Sequence, residues 1–288
     1  MREKKRLLAS FSGGRTSAFM TKWLLDNKSD EYEIKVVFAN TGQEHERTLE
    51  FVRNCDQQFG FGVVWVECVP QARGKASGHR VVTFETAARN GEPFEAMIEK
   101  YGIPNSAFPH CTRELKLNPI KSYVASIGWL PGTYESAVGI RMDEIRRVSK
   151  TAGDSHIIYP LVDMIPTDKQ DVNDWADEQH FKLELDEHQG NCTWCWKKSF
   201  AKHFRLIDES PEIYDFPRRM EAQHARTGAG AAMGSGRVFF RSNTSTVQLF
   251  KLAEIGALPR AIDPRQLDLD LNGGCSESCE MYPMEDAA

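Results

Sequence analysis

Residues 7–17 constrain the fold of this chain more than any other stretch. The apolar run Leu7-Leu8-Ala9 is typical of a buried strand, and Ser-Phe-Ser-Gly-Gly-Arg-Thr-Ser follows it at positions 10–17. Gly13 and Gly14 allow a tight turn with exposed amides, and the pattern after the turn predicts an amphipathic helix. A strand, an amide-rich turn and a helix N-terminus together suit a phosphate group. The spacing is neither the Walker pattern nor the G-x-G-x-x-G fingerprint, so the string alone leaves an ordinary turn and a nucleotide loop equally open.

Composition narrows the class of protein. The 288 residues are 41% hydrophobic, which suffices for one large or two small globular domains. A net charge of −5 excludes a globally basic nucleic-acid surface, although local patches remain possible. No apolar run approaches the ~20 residues of a membrane span. The charged start at residues 2–6 does not resemble a signal peptide, so we expect a cytoplasmic protein without a membrane partner.

Three early apolar stretches predict parallel strands at residues 7–11, 34–38 and 63–69. Helical patterns separate them, with one helix expected over 46–59. This alternation predicts an α/β fold with a doubly wound, mostly parallel sheet. Ligands bind at the carboxyl ends of such strands, so residues 12–17 and the segment Asn40-Thr41-Gly42 should face one pocket.

The later chain predicts further elements and a division into two regions. We expect strands at 135–140 and 157–162, a helix over 168–180 and a short helix over 247–254. Residues 70–109 interrupt the pattern and should form an excursion from the sheet, with a basic cluster that faces either water or a substrate: Arg73, Lys75, His79 and Arg80. The predicted regions are a nucleotide-binding domain over 1–200 and a helical C-terminal region over 201–288. The Gly- and Ala-rich segment 227–236 and a cysteine-containing tail should be mobile.

Seven cysteines in a chain without an export signal are typical of free, metal-bound or catalytic thiols. Cys111 precedes a Cys192-Thr-Trp-Cys195 motif. A C-x-x-C motif suits an iron–sulfur cluster, a zinc ion or a redox dithiol. Cys55 and Cys68 fall in helix and strand patterns and should be buried packing residues.

Four segments in one order resemble the phosphoadenosine phosphosulfate reductase family of the PP-loop adenine nucleotide α-hydrolase superfamily. They are the loop at 12–14, the strand end at 40–42, Gly-Ile-Arg-Met-Asp-Glu at 139–144, and the cysteines at 111, 192 and 195. The resemblance covers residues 6–200. Thr16 stands where the superfamily loop S-G-G-x-D-S has its Asp, Asn40 replaces the Asp of D-T-G, and Ile145 replaces the Ser of G-x-R-x-D-[EQ]-S.

The resemblance implies an adenine nucleotide, either ATP or a nucleotide sulfate. Arg141 is the first choice for a forked contact to an anion, with Arg146 or Arg147 second; the alternative for Arg141 is a salt bridge to Asp143 or Glu144. Those two carboxylates either hold Mg²⁺ or orient the arginines. The candidate nucleotide-binding residues are Ser10, Ser12, Gly13, Gly14, Arg15, Thr16, Ser17, Asn40, Thr41, Gly42, Gly139, Arg141, Asp143 and Glu144.

Cluster-binding members of that family carry a Cys-Cys pair ahead of their C-x-x-C motif. Here only Cys111 is present, between His110 and Thr112. The resemblance implies a [4Fe-4S] cluster on Cys111, Cys192 and Cys195, with zinc as the alternative. Its fourth ligand would be Cys275, Cys279 or His110, or one iron would stay open to sulfur or substrate.

Three functions follow from the resemblance. In a reductase, Cys275 and Arg141 would be catalytic, the thiolate would attack a nucleotide sulfate, and a thiol reductant would be a partner; the tail lacks the family's E-C-G-x-H motif. In an ATP-dependent sulfurtransferase, ATP would adenylate a carbonyl of a nucleic-acid acceptor before sulfur arrives from the cluster. The third is a nucleotide-binding accessory protein without turnover. Each is compatible with a homo-oligomer.

Overall fold

A computed structural model describes residues 3–72, 74–190, 192–228 and 236–256. Within these residues, six strands form one sheet: β1 (Lys5–Ser10), β2 (Tyr32–Asn40), β3 (Val64–Val69), β4 (Gly78–Val82), β5 (Glu135–Ala137) and β6 (Ile157–Ile158). The strand order is β4-β3-β2-β1-β5-β6. All neighbours pair in parallel except β3 and β4, which are antiparallel. The order reverses at β1, and ligands of open α/β sheets bind at such a point.

The described residues also contain nine α-helices: α1 (Arg15–Lys28), α2 (Glu46–Phe59), α3 (Glu92–Tyr101), α4 (Asn118–Ser126), α5 (Pro160–Asp163), α6 (Lys169–Asp177), α7 (Phe200–Glu209), α8 (Asp215–His224) and α9 (Thr246–Glu254). A π-helix at Arg113–Leu117 runs directly into α4. A 3-10 helix follows Arg141 at Met142–Arg147. None of the helices in the described part of the chain is long and apolar enough to cross a membrane.

Helices cover both faces of the sheet because successive side chains of β1 point to opposite sides. Leu7 lies in a core with Met20 and Leu24 of α1. Leu8 lies in a different core, with Ile120 and Val124 of α4. A strand buried on both faces reads as a continuous apolar run, which explains the sequence at residues 7–9.

A third core joins the C-terminal helices to the sheet domain. The Trp194 ring packs 4.8 Å from Phe239, 5.6 Å from Phe216 and 5.3 Å from Phe94 between ring centroids. Phe94 belongs to α3 and Phe216 to α8. The C-x-x-C segment that contains Trp194 is therefore held in a rigid aromatic core.

The structure confirms the α/β class and the mostly parallel sheet. The helix expected over 46–59 has the bounds of α2, and the one expected over 168–180 is α6, with Asp168 as a capping residue that accepts from the Gln170 and Asp171 amides. Cys55 and Cys68 are buried, as expected.

Three expectations were wrong in detail. The strands predicted over 135–140 and 157–162 end at Ala137 and Ile158. The second ends early because Pro160 begins α5, where a fixed φ and a missing N–H are tolerated. Residues 70–109 are not wholly an excursion, because β4 pairs with β3 and extends the sheet. As an exposed edge strand, β4 carries too weak an apolar pattern to predict.

Two expected features fall partly or wholly outside the described residues. They are the segment 227–236, of which 229–235 is not described, and the tail with Cys275 and Cys279.

His203, buried under the third core, generates a prediction about pH. Its Nδ1 lies 2.7 Å from the Tyr214 hydroxyl, and burial, reinforced by the charges of Lys198 and Arg241, holds its pKa well below the ordinary 6.5. The unfolded chain binds a proton at this histidine below pH about 6.5 and the folded chain does not, so stability falls as pH falls, by up to ~1.4 kcal/mol per pH unit. Urea unfolding between pH 8 and 5 should show a shallower pH slope for His203→Leu.

The matched control is His180→Leu, since His180 is exposed. Its slope should equal that of the wild type. Equal slopes for all three proteins would contradict the neutral, buried state of His203.

Candidate functional site

The loop between β1 and α1 is closed by its own serines. The Ser17 hydroxyl donates to the Gly14 carbonyl (3.0 Å) and accepts from the Ser12 amide (3.2 Å), and the two serine oxygens lie 3.0 Å apart. Gly14 is the N-cap of α1 and supplies no capping side chain. The first amides of α1 therefore have no side-chain cap and remain available to an anion at the positive end of the helix.

Gly13 is required by its conformation and its surroundings. Its φ is +79°, and a Cβ at this position would lie 2.7 Å from the Thr48 Cγ2 and 3.1 Å from the Val52 Cγ2. Both neighbours belong to α2. The loop therefore packs closely against α2, and this contact fixes the position of the loop relative to the sheet.

Arg141 spans the gap between β5 and this loop. Its Nη1 donates to the Thr16 Oγ1 (3.0 Å), while its Nε and Nη2 make a bidentate pair with Asp143 (2.9 and 2.8 Å). The Arg141 hydrogen bond lowers the pKa of the Asp143 carboxyl. Glu144 lies 3.5 Å from the Arg141 Nη1 and also pairs with Arg147. Arg141 therefore makes the salt bridge that the sequence offered as the alternative to an anion contact, and the anion contact stays a prediction.

The loop and Arg141 line a cleft of about 380 Å³. Nine of the candidate nucleotide residues line it: Ser12, Gly13, Gly14, Arg15, Thr16, Ser17, Gly139, Arg141 and Glu144. Five lie outside its lining: Ser10, Asn40, Thr41, Gly42 and Asp143. Sequence reasoning missed several lining residues, of which the most relevant here are Thr48, Lys169, Asn173, Leu183, Leu185, Asp186, Glu187 and Gly190. Most of these follow β6 in the chain, beyond the motifs, and only the fold brings them to the loop.

Arg15 holds one wall of the cleft in place. Its Nη2 donates to the Leu183 carbonyl (3.1 Å) and approaches the Leu185 carbonyl (3.4 Å). The segment that leads to Gly190 and the cysteine motif is thereby tied to the start of α1.

Asn40 is placed as a structural residue beneath the end of β2. Its Nδ2 donates to the Glu67 Oε1 (2.7 Å) and the Ala88 carbonyl (2.9 Å), and its Oδ1 accepts from the Gly42 amide (3.1 Å). Glu67 is fully buried and also accepts from the Ala88 amide (2.6 Å) and from Arg80. A buried carboxylate with this many donors fixes the turn that carries Thr41.

Thr41 faces the cysteines rather than the cleft. Its amide and hydroxyl both donate to the Glu44 carboxylate at 2.9 Å, and its Oγ1 lies 3.5 Å from the Cys192 Sγ. The Glu44 side chain is nearly buried and lies 3.8 Å from the Lys116 Nζ. The end of β2 thus reaches the thiol motif directly.

Backbone pairing holds the two segments together. Glu44 and Cys192 form an antiparallel bridge, and the Thr193 amide donates to the Gln43 carbonyl (2.9 Å). The Trp194 indole N–H donates to the side-chain oxygen of Gln43. No local sequence pattern indicates this contact, because its partners lie 150 residues apart.

Cys111, Cys192 and Cys195 line one pocket. Eight further residues complete its lining: Thr41, Phe94, Thr112, Leu115, Lys116, Trp194, Trp196 and Lys197. The structure brings the three predicted thiols together. Cys192 and Cys195 are buried and Cys111 is partly exposed. The π-helix that begins two residues after Cys111 is a rare element that often marks a functional site.

The donor set suits a metal centre of soft ligands. Thiolates are ligands of both iron–sulfur clusters and zinc ions. The space between the lining residues is about 20 Å³, so a cluster would require the pocket to widen.

The cleft and the thiol pocket adjoin. Gly190 lines the cleft, and Cys192, two residues on, lines the thiol pocket. The buried Lys198 donates to the Gly190 carbonyl (2.7 Å), and its own amide bonds the Cys195 carbonyl (2.9 Å).

Other candidate groups lie elsewhere. The His110 Nε2 bonds the Gly102 carbonyl at 3.1 Å, and His110 is not among the residues lining the thiol pocket. Glu95, Glu99 and His224 bring three ligand atoms within 4.8 Å, but Arg219 already pairs with Glu95 at 2.7 Å. A groove of about 680 Å³ between α7, α8 and α9 contains none of the predicted site residues.

Comparisons with known proteins establish the family. The chain is 31% identical over 286 residues to the uncharacterized nin region protein ORF290 of Escherichia phage lambda. The aligned region covers 96% of this chain and 94% of the phage protein. The chain belongs to the family of this phage protein. It is also similar to the uncharacterized proteins MJ0066 (28% over 145 residues) and MJ0973 (29% over 115 residues) of Methanocaldococcus jannaschii, of which it spans 24% and 22%. No family model matches.

The buried carboxylate of Glu67 generates a prediction about the end of β2. Glu67→Ala leaves the Ala88 amide and the Asn40 side-chain N–H without their acceptor. Each buried donor left unpaired costs about 1–3 kcal/mol, so the free energy of unfolding should fall by roughly 3 kcal/mol. Urea denaturation measures it.

Glu99→Ala on the exposed face of α3 is the control, and it should change stability by less than about 0.5 kcal/mol. A similarly small effect for Glu67→Ala would show that the network does not hold the turn.

Proposed function

We propose that this protein is a PP-loop enzyme, similar to the phosphoadenosine phosphosulfate reductases, that binds an adenine nucleotide in the cleft and carries out sulfur chemistry at the adjoining thiol pocket. The observation that carries the proposal is the junction of the two pockets through Gly190 and Cys192. A group that is activated in the nucleotide cleft can react at the thiol pocket only if the two pockets are next to each other.

The cleft offers the charges that a polyphosphate needs. The amides at the start of α1 face it, and cationic side chains of Arg141, Arg147 and Lys169 line it. Forked guanidinium groups and helix N-termini both stabilise phosphate oxygens. The carboxylates of Glu144, Asp186 and Glu187 line the same cleft and suit Mg²⁺, which binds through carboxylates and phosphates together.

This mixture of cations and carboxylates favours ATP with Mg²⁺ over a nucleotide sulfate, and the missing E-C-G-x-H motif favours the same reading. In that reaction a carbonyl oxygen of the acceptor attacks the α-phosphorus and forms a new O–P bond. The bond between the α-phosphorus and the oxygen that bridges to the β-phosphate breaks. Pyrophosphate leaves, and its new negative charge lies on the β-phosphate. Arg141 and the loop amides would stabilise this leaving group, since both are fixed before the reaction begins.

The thiol pocket would hold a [4Fe-4S] cluster on Cys111, Cys192 and Cys195. The three thiols match in number the three cysteines of a cluster that has one further ligand position. When bound, the cluster supplies a site for sulfur or for electrons. Cys275, the proposed alternative ligand or nucleophile, lies outside the described residues.

The reductase remains the second candidate because the order of motifs resembles that family. Sulfite released from a nucleotide sulfate would identify it, and pyrophosphate released from ATP would identify the sulfurtransferase. An accessory protein would bind nucleotide and release neither product.

Arg141→Gln tests the nucleotide site. Removal of a charge-assisted contact worth about 1.5–3 kcal/mol should weaken binding of an ATP analogue by about 10- to 150-fold. Isothermal titration calorimetry on anaerobically purified protein measures the Kd, and circular dichroism checks the fold.

The neighbouring Arg146 is exposed and does not line the cleft, so Arg146→Gln is a matched control that should bind like the wild type. Absence of binding of any adenine nucleotide by the wild type would reject the proposed function.

Cys192→Ser tests the metal centre. Anaerobic wild-type protein should be coloured and contain iron and acid-labile sulfide, and the variant should lose most of both because a main ligand is gone. Cys55→Ala, in a buried position of α2, should keep the wild-type content. A metal-free wild type with full activity would remove the cluster from the proposal.

A further inference from the structure

Two hydrogen-bond donors in the thiol pocket lack the partners that buried donors normally have. The Trp196 Nε1 and the Thr112 Oγ1 are both buried without a hydrogen-bond partner among the described residues. Both residues line the pocket of the three cysteines. A buried donor left unpaired costs about 1–3 kcal/mol, so two in one pocket indicate a partner that binds there.

Trp196 is the stronger of the two observations. Its side chain is only 7% exposed, while its neighbour Trp194, which lines the same pocket, satisfies its indole N–H on Gln43. Two tryptophans flank Cys195, and the fold pairs only one of them internally. Lys197 lies 5.6 Å from the Trp196 ring, on its face rather than at the N–H.

Thr112 has helical backbone angles (φ −59°, ψ −46°), where a threonine hydroxyl ordinarily bonds a carbonyl of the preceding turn or caps the helix. It does neither. It stands at the start of the π-helix and makes no capping bond. Thr112 directly follows Cys111, and its hydroxyl makes no hydrogen bond to the backbone of the described residues.

We infer that the Trp196 indole N–H and the Thr112 hydroxyl donate hydrogen bonds to the sulfur atoms of an iron–sulfur cluster held by Cys111, Cys192 and Cys195, and thereby raise its reduction potential. The inference rests on the cluster in the proposed function. Reduction adds negative charge to the cluster, and donors to its sulfurs stabilise that charge. Both residues are positioning residues that act through the cluster.

The test measures the midpoint potential of the cluster in anaerobic protein. A redox titration monitored by electron paramagnetic resonance gives this potential. Trp196→Phe removes the donor and keeps the ring, and Thr112→Val removes the hydroxyl at constant volume. Each should lower the potential. A net hydrogen bond changes the ratio of reduced to oxidised cluster by up to about tenfold at fixed potential, which is about 59 mV for one electron.

Two variants serve as controls. Thr112→Ser restores a hydroxyl and should return the potential towards the wild-type value. Trp194→Phe removes an indole whose N–H already bonds Gln43 and should leave the potential nearly unchanged. Deuterium coupling to the reduced cluster after exchange into D₂O should weaken in Trp196→Phe and not in Trp194→Phe.

The outcomes separate this inference from the proposed function. Wild-type iron and sulfide content in both donor variants, with unchanged potentials, would overturn the inference and leave the cluster intact. A wild type that holds zinc, or no metal, would overturn the inference together with the cluster of the proposed function.

Discussion

The parallel pairing of β1 with β2 is the constraint on which the site depends. Ser10 pairs with Val37, so both strands end at the same edge of the sheet. The glycine loop continues from β1, and the turn at residues 40–44 continues from β2. One turn faces the cleft and the other faces the thiols, so a shift in this register would separate the two pockets.

Buried polar groups turn this topology into a rigid geometry. The Glu67 carboxylate holds Asn40 and the Ala88 amide, and the Glu44 carboxylate holds both donors of Thr41. Gly13 lies against Thr48 of α2 with no space for a side chain. The low dielectric of the interior makes an unpaired carboxylate or amide costly, and a side chain at position 13 would clash with Thr48, so the local shape is fixed at each of these points.

The sequence predicted those parts that depend on local pattern. The apolar run of β1, the glycine turn and the amphipathic α2 follow from the side-chain pattern within one segment. The C-x-x-C motif suits a cluster, a zinc ion or a redox dithiol, and this choice stays a prediction. Glu67, Glu44 and Gln43 carried no such signal, because their roles arise from partners far along the chain. The edge strand β4 escaped prediction since an exposed edge does not require apolar side chains. Asn40 matched a motif but serves the turn beneath the site.

The central claim is that the nucleotide cleft and the thiol pocket adjoin and act as one site. The most direct measurement is an anaerobic crystal structure with a non-hydrolysable ATP analogue, collected at the iron absorption edge. The phosphates should lie on the amides of residues 12–17 beside Arg141, with an anomalous iron peak among Cys111, Cys192 and Cys195. A nucleotide bound on another surface, or iron away from these three sulfurs, would contradict the shared site.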